Sequence, residues 1–190
     1  MRRVIGPRKL RKAKKTTEIG WREVISLPEL GIPALKAKID TGARTSALHA
    51  VDIETYERDG VPWVSFHVPL ADRFGGKKHH TRIIDERRIR NTSGRMESRI
   101  IIESTLVLGN RNWRIEISLA NRQNMELDLI LGRTAVRRRD LLVNPGRSFL
   151  AGTPVGPVHQ NLPKLDDGLL GALKRGKKTA RKASDSGEQK

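Results

Sequence analysis

The stretch LKAKIDTGA, residues 35–43, decides the fold of this chain and indicates its chemistry. Residues 35–39 alternate between apolar and basic side chains, which predicts a strand with one buried face. This strand runs straight into Asp40, so the Asp40 carboxylate stands at a strand end. Gly42 permits a turn tight enough to bring the backbone beside a substrate.

The chemistry suited to such a carboxylate is hydrolysis of an amide by water, which needs a general base and a general acid at once. Two adjacent carboxylates supply both by sharing one proton, because two like charges so close cannot both ionise cheaply. We therefore predict Asp40, Thr41 and Gly42 as catalytic residues. Thr41 is expected to hydrogen-bond the loop that carries the second carboxylate. The triplet at 185–187, Asp-Ser-Gly, follows no hydrophobic strand and is interpreted as a coincidence. A twofold homodimer, in which Asp40 faces its own copy, is the economical source of the second carboxylate.

The rest of residues 19–150 is interpreted as one domain of short strands. Many short strands with little helix predict an all-β barrel or sandwich. Strands are expected at residues 21–27, 63–68, 100–108, 113–119, 127–131 and 141–143, with hairpin turns at 59–60, 74–77 and 109–112. One or two helical turns are expected at 134–139, with Thr134 as N-cap.

Both ends of the chain are polar and basic, and we predict that both are disordered. Residues 1–18 hold eight Lys or Arg and one Glu, and form the predicted N-terminal arm. Residues 151–190 are predicted as a linker and a basic tail, with a short helix around 165–173. The net charge of +17 attracts polyanions of any sort, whether RNA, DNA or acidic polypeptide. We keep contact of the tails with RNA or the ribosome as one interpretation and a soluble protein with solvated basic tails as the other. No apolar run is long enough for a membrane helix or a secretory signal, so a cytoplasmic protein is expected.

A second motif, Ile130-Leu131-Gly132-Arg133, gives the chain a family resemblance. Together with residues 38–49, 95–99 and 144–145, it resembles the retropepsin-like aspartic peptidases. It is most similar to a bacterial family labelled ATP-dependent zinc proteases, whose members occur alongside glutamate ligases that modify a ribosomal protein. The resemblance covers residues 20–150. It implies a closed β-barrel with a short C-terminal helix, a homodimer, and an endopeptidase acting on acidic chains such as oligoglutamate tails. Ala43, Gly132 and Arg133 would support the site.

The zinc and ATP of that family label lack a chemical basis in this sequence. No His-Glu-x-x-His motif accompanies its five histidines, and no Gly-rich phosphate loop ends in Lys-Ser or Lys-Thr. The adjacent His79 and His80 would point to opposite faces of a strand. The chain has no Cys, which excludes thiolate ligands. We therefore predict neither a metal nor a cofactor, and keep a metal site assembled across the fold as an alternative.

One position departs from the viral retropepsins, where an acidic residue follows Asp-Thr-Gly-Ala and pairs with the arginine of the Gly-Arg motif. Arg44 occupies that position here. We hypothesise that the cleft binds acidic side chains, with Arg44, Arg95 and Arg99 holding substrate carboxylates through their planar guanidinium groups. The alternative is that Arg44 pairs with a core acid such as Glu97.

The remaining candidates concern a flap and a rival function. Gly75 and Gly76, within residues 74–78, are predicted at the tip of a mobile hairpin that closes over substrate, the alternative being a plain surface turn.

The rival function is that of a non-catalytic module that docks on RNA or the ribosome, favoured by the arginines at 87–88 and 137–139. Trp21, Trp63 and Trp113 are expected as core or interface anchors. An aromatic share of 4% predicts no stacking platform for single-stranded nucleic acid.

Overall fold

A computed structural model of the chain describes residues 16–69, 71, 77–90, 94–121, 127–137 and 139–155. The regular secondary structure of this part of the chain is almost entirely strand, so the predicted all-β fold is confirmed. A single turn of 3-10 helix covers Pro28–Leu30. None of the helices within these ranges has the length and apolar character needed to span a membrane. The other elements are β1 Thr17–Gly20, β2 Arg22–Leu27, β3 Ile32–Asp40, β4 Ser46–His49, β5 Val51–Arg58, β6 Val61–His67, β7 His79–Arg82, β8 Asp85–Arg90, β9 Met96–Leu108, β10 Arg111–Ala120, β11 Leu129–Gly132, α1 Arg133–Val136 and β12 Leu141–Asn144.

Six of the strands pair in a closed ring. The order around the ring is β9, β10, β4, β11, β3 and β2, and β2 pairs with β9 again. Closure satisfies the backbone groups along both sides of each ring strand, which an open sheet leaves exposed at its edges. Strand β8 extends the ring by pairing with the first half of β9. Strands β5, β6 and β7 form a separate antiparallel sheet, and β1 pairs with β12 in parallel.

The core lies inside the ring and continues beneath the three-stranded sheet. In β3, Leu35, Ala37 and Ile39 are buried while Lys38 is exposed, which confirms the predicted alternation. In the second sheet, Val64 and Phe66 are fully buried and join the same hydrophobic cluster. The two sheets therefore share one core, and the apolar alternation determines which face of each strand is covered.

Turn chemistry fixes the register of the β5–β6 hairpin. Asp59 and Gly60 have φ angles of 54° and 71°, which suit the two-residue turn that matches strand twist. The hairpin predicted at these two residues is therefore confirmed. Trp113 is confirmed as a core residue, with its indole nitrogen donating to the carbonyl of Ala135 at 2.8 Å. Trp21 and Trp63 are only half-buried.

The structure moves both ends of the predicted domain outward. Strand β1 begins at Thr17, so the last two residues of the predicted arm belong to a strand. At the other end, the backbone N–H of Val155 donates to the carbonyl of Gly109 at 2.8 Å, so residues 151–155 pack on the domain. The polar composition of both segments hides these backbone contacts. The rest of both tails, including 165–173 and 185–187, lies outside the described residues.

Candidate active site

The Asp40 loop connects two strands that are not neighbours in the ring. It leaves β3 and enters β4, while β11 lies between them, parallel to β3 and antiparallel to β4. The loop therefore crosses over the end of β11. In this register Gly132 lies opposite Asp40.

The Asp40 carboxylate is fixed through one of its two oxygens. Oδ1 accepts hydrogen bonds from the backbone N–H groups of Gly42 at 3.0 Å and Ala43 at 3.1 Å. Oδ2 has no hydrogen-bond partner in the described part of the chain. Asp40 is half-buried, and the next residues, Thr41 and Gly42, are exposed. A fixed carboxylate with one oxygen available is an arrangement that can exchange a proton with a bound water.

The glycine beneath the loop is required by space. A Cβ atom on Gly132 would lie 2.5 Å from the carbonyl carbon of Thr45 and 2.6 Å from its oxygen. These are backbone atoms, so no rotation of a side chain can relieve the clash. The N–H of Gly132 also donates to the hydroxyl of Ser46 at 3.3 Å. The loop therefore rests directly on the backbone of β11.

Helix α1 holds the loop from the same side. The backbone N–H of Arg133 donates to the carbonyl of Ala43 at 2.9 Å, and its guanidinium donates to the carbonyl of Gly42 at 3.2 Å. The prediction of Thr134 as N-cap is wrong, because Gly132 occupies that position without a side-chain bond. The Thr134 hydroxyl donates instead to the carbonyl of Arg44 at 2.8 Å. The structure thus brings Gly132 and Arg133 together with the loop.

The predicted substrate-binding arginines lie in different surroundings. Arg44 is exposed and forms no ion pair with another described residue. Glu97 pairs with Arg99 at 2.8 Å, so it is not the partner of Arg44. Arg99 is 8% exposed, and this pairing already occupies its guanidinium. Arg95 is exposed and lies just before β9. Arg44 lies on the Asp40 loop itself, and its backbone carbonyl accepts from the hydroxyl of Thr134 in α1.

The predicted flap falls largely outside the described residues. Gly75 and Gly76 lie in the undescribed segment 72–76, which joins the antiparallel neighbours β6 and β7. At the described end of this segment, the ammonium group of Lys78 pairs with Glu54 and holds the pKa of that carboxyl below its ordinary value. The flap therefore remains a prediction.

The arginine pair at 87–88 is partly neutralised. The guanidinium of Arg87 bonds both Asp85 and Glu116. These carboxylates raise the pKa of Arg87 above its ordinary range, and Arg87 in turn holds the pKa of Asp85 below its ordinary value. Two carboxylates thus compensate the charge of Arg87, which is less available to RNA than the sequence suggests. Arg88 is exposed.

The histidines take the orientations predicted for a strand. His79 is buried, and its Nδ1 lies 2.8 Å from the carbonyl oxygen of Leu30. His80 is exposed, so the two adjacent rings lie on opposite faces. No group of three or more His, Cys, Asp or Glu is arranged to hold a metal ion within the ranges that the structure describes.

Sequence reasoning missed a buried carboxylate that supports the strand entering the site. Glu23 is fully buried and accepts hydrogen bonds from the backbone N–H groups of Gly20, Leu150 and Ala151. A charged residue inside the apolar run of residues 21–27 was the available signal. The neighbouring Trp21 carbonyl accepts from the N–H of Ile39 at 2.8 Å, one residue before Asp40.

Three sets of known proteins share this architecture or sequence. The family model described as RimB-like, "Retropepsin-like aspartic endopeptidase RimB", matches residues 18–154. Proteins named "Probable alpha-L-glutamate ligase" match over 136 residues, at 47% identity in Desulfotalea psychrophila, 44% in Parasynechococcus marenigrum and 41% in Shewanella halifaxensis. Each match covers 70% of this chain and 29–30% of the relative, so the chain spans less than a third of their length.

A solved structure has the same fold. It is Lpg0085 of Legionella pneumophila, a protein of unknown function, with a TM-score of 0.59 and 27% sequence identity. The likeness covers 71% of this chain and 98% of that one. The resemblance drawn from the Asp40 and Gly132 motifs is thereby confirmed. The chain belongs to the RimB-like family of retropepsin-like aspartic endopeptidases.

Proposed function

We propose that this protein is an aspartic endopeptidase whose active site forms when two copies pair and each contributes Asp40. The observation that supports it is the Asp40 carboxylate itself. Its Oδ1 is held by two backbone N–H groups, and its Oδ2 is unbonded within the described residues. Positioning of this kind is what proton transfer in the transition state requires, because the group must already be within hydrogen-bond reach.

In the proposed mechanism the two Asp40 carboxyl groups share one proton. The ionised carboxylate takes a proton from water, and the oxygen of that water forms a bond to the scissile carbonyl carbon. The protonated partner gives its proton to the carbonyl oxygen, so the tetrahedral intermediate is neutral. Its carbon–nitrogen bond then breaks as the first carboxyl group passes its proton to the leaving nitrogen, and the hydroxyl proton returns to its partner. The shared proton is thereby restored.

The proposed pairing of two copies rests on the number of suitable carboxylates in one chain. Within the described residues, Asp40 is the one carboxylate at a strand end followed by Thr-Gly. Thr41 and Gly42 are exposed beside it, so a second loop can approach. A twofold axis beside Asp40 brings identical loops together.

If both carboxylates are needed, Asp40→Asn chains mixed with wild type form inactive mixed dimers. Activity then falls below the wild-type share of the mixture, whereas activity in proportion to that share would contradict the paired site.

The proposed substrate is a chain rich in glutamate. Arg44 is exposed, lies on the Asp40 loop and forms no ion pair within the described residues, so its guanidinium is available to a carboxylate. The relatives named as glutamate ligases contain a region 41–47% identical to this chain. A ligase forms amide bonds to glutamate, and a peptidase beside it hydrolyses such bonds. The net charge of +17 also favours an acidic chain.

Incubation with oligoglutamate tests the activity directly. Wild-type protein should shorten the peptide, as seen by mass spectrometry, and Asp40→Asn should not. Asp52→Asn is the matched control, because Asp52 is an exposed carboxylate on another strand and asparagine tolerates its φ of 50°. The same assay with a chelator distinguishes an aspartic from a metal-dependent hydrolase. Cleavage that survives Asp40→Asn, or that a chelator abolishes, would refute the proposal.

The role of Arg44 needs two peptides of equal length, one acidic and one neutral. Arg44→Ala should lower kcat/KM for the acidic peptide by about tenfold or more, the usual effect of losing a charged hydrogen bond. Cleavage of the neutral peptide should change little. Arg137→Ala removes another exposed arginine, at the C-terminal end of α1, and serves as the control. Equal losses on both peptides would show that Arg44 supports the loop without contacting substrate carboxylates.

A further inference from the structure

The three-stranded sheet carries a row of large planar side chains on its outer face. Tyr56 on β5 lies opposite Trp63 on β6, and Trp63 lies opposite Arg82 on β7. Residues that lie opposite one another share a face of a sheet. The Tyr56 and Trp63 rings are 6.4 Å apart at an interplanar angle of 29°, so they stack. The row thus crosses all strands of this sheet.

Two arginines flank the indole ring at the centre of the row. The guanidinium carbon of Arg58 lies 5.4 Å from the Trp63 ring centroid, and that of Arg82 lies 5.8 Å away. Both are exposed residues. Arg58 is also 3.7 Å from Asp59, but the two side chains are 65% and 91% exposed, so solvent screens that pair. The arrangement presents aromatic rings and guanidinium planes together.

The fold does not require these rings on the outer face. The inner face of the same sheet is anchored by Val64 and Phe66, which are fully buried. An antiparallel sheet with one buried face normally carries polar residues on the other. Here Tyr56, which is the only tyrosine of the chain, is 37% exposed on the wet face. Its hydroxyl is 3.0 Å from Nδ1 of His80.

We propose that this outer face, formed by Tyr56, Trp63, Arg58 and Arg82, binds single-stranded nucleic acid. Aromatic rings and guanidinium planes stack on bases, and arginines pair with the phosphates between them. Glu54 on the same face is neutralised by Lys78 and so offers little repulsion. Arg58 and Arg82 give this face two exposed positive charges that can pair with phosphates. An oligoglutamate chain has charge but no planar bases, so the rings distinguish the two ligands. The proposal does not rest on the proposed peptidase activity of Asp40.

The test measures binding of a fluorescently labelled single-stranded oligoadenylate RNA to the full chain by anisotropy. Tyr56→Ala keeps the net charge, so electrostatic binding by the rest of the chain stays constant and the variant isolates stacking. It should weaken binding by about tenfold, the low end expected for loss of one stacked base. Tyr56→Phe keeps the ring and should bind as wild type does. Arg58→Ala with Arg82→Ala should lower the slope of log Kd against log salt by about two.

Controls make the result decisive. Thermal denaturation verifies that each variant is folded. The RNA affinity of Trp63→Phe, which replaces the indole with a smaller ring, gives a second measure of stacking that does not involve Tyr56. Asp40→Asn should bind the RNA as wild type does. The proposal is overturned if Tyr56→Ala binds the RNA as tightly as Tyr56→Phe. It is also overturned if labelled oligoglutamate loses affinity for Tyr56→Ala in the same proportion, because the face would then be a peptide site.

Discussion

Replacing the buried Glu23 with glutamine changes one atom and should destabilise the domain measurably. Oε1 accepts from the backbone N–H groups of Gly20 and Leu150, and Oε2 accepts from that of Ala151 at 3.2 Å. A glutamine that keeps its oxygen at the Oε1 position presents an amide N–H₂ to the third donor. The partly buried N–H of Ala151 then loses its acceptor, which costs about 1–3 kcal/mol, and the two remaining bonds lose their charge assistance. We expect a total loss of about 2–4 kcal/mol.

An opposing effect has to be weighed, because a buried carboxylate also has a desolvation cost that glutamine avoids. The backbone donors stay in place whatever side chain is present, and glutamine accepts at most two of them, so the loss should prevail. Urea denaturation gives the free energy of unfolding, and a thermal scan should show a decrease in Tm of roughly 10 °C. Glu57→Gln, at an exposed position on β5, should change stability by less than about 0.5 kcal/mol.

A local measurement separates this mechanism from general loosening. In Glu23→Gln, amide hydrogen exchange should rise first at Ala151, whose N–H loses its acceptor, and less at Leu150, whose bond to the remaining oxygen is kept. Equal stability of Glu23→Gln and wild type would refute the reasoning. It would mean that desolvation of the carboxylate offsets all three hydrogen bonds.

Three other substitutions follow from contacts in the structure. Gly132→Ala places a Cβ atom 2.5 Å from the Thr45 backbone, and should cost about 1–3 kcal/mol in urea denaturation and reduce peptidase activity. Ser26→Ala should be neutral or stabilise by about 1 kcal/mol in the same assay, because the Ser26 hydroxyl is buried without a partner among the described residues. Asp85→Asn should destabilise slightly at neutral pH by removing a partner of Arg87. The Asp85 pKa lies below its ordinary value of 3.8 in the folded state, so this contribution is present above that value. The difference from wild type should vanish as pH falls through the lower folded pKa, and unchanged differences across that range would contradict the pairing.

The strands that could be predicted are those whose pattern reports burial directly. In β10, exposed Arg114 and Glu116 alternate with buried Trp113, Ile115 and Ile117, so the period of two is visible in the sequence. Strand β4 was missed because it is short and contains serine and histidine, yet all four residues are buried. The Ser46 hydroxyl accepts the N–H of Gly132 on the neighbouring strand β11, at 3.3 Å. Such a partner is distant in the sequence and depends on which strands pair, which local sequence does not show. Strand β8 was missed because it lies at the sheet edge and is largely exposed.

The residues of the candidate site also fall into some that could be predicted from the sequence and some that could not. Gly42 could be predicted because a tight turn restricts which residue types fit, and Asp40 because a carboxylate follows an alternating strand. Gly132 was expected only from the family resemblance. The partners of charged side chains could not, since they depend on strand register. Arg87 on β8, for example, reaches Glu116 on β10. Average composition likewise concealed the stacked rings of the outer face, because their alignment is a property of the register.

Asp40 is held from two directions, and this explains why the domain is larger than its strand pattern suggests. From one side, β11 and Arg133 support the loop through its backbone. From the other, the Trp21 carbonyl holds Ile39, and the N–H of Trp21 donates to the carbonyl of Arg147 at 3.0 Å. Residues near both termini of the domain thus set the position of one carboxylate. Because the proposed proton transfer would tolerate little displacement, the segment after residue 145 would support the proposed active site. The family match, which extends to residue 154, includes this segment.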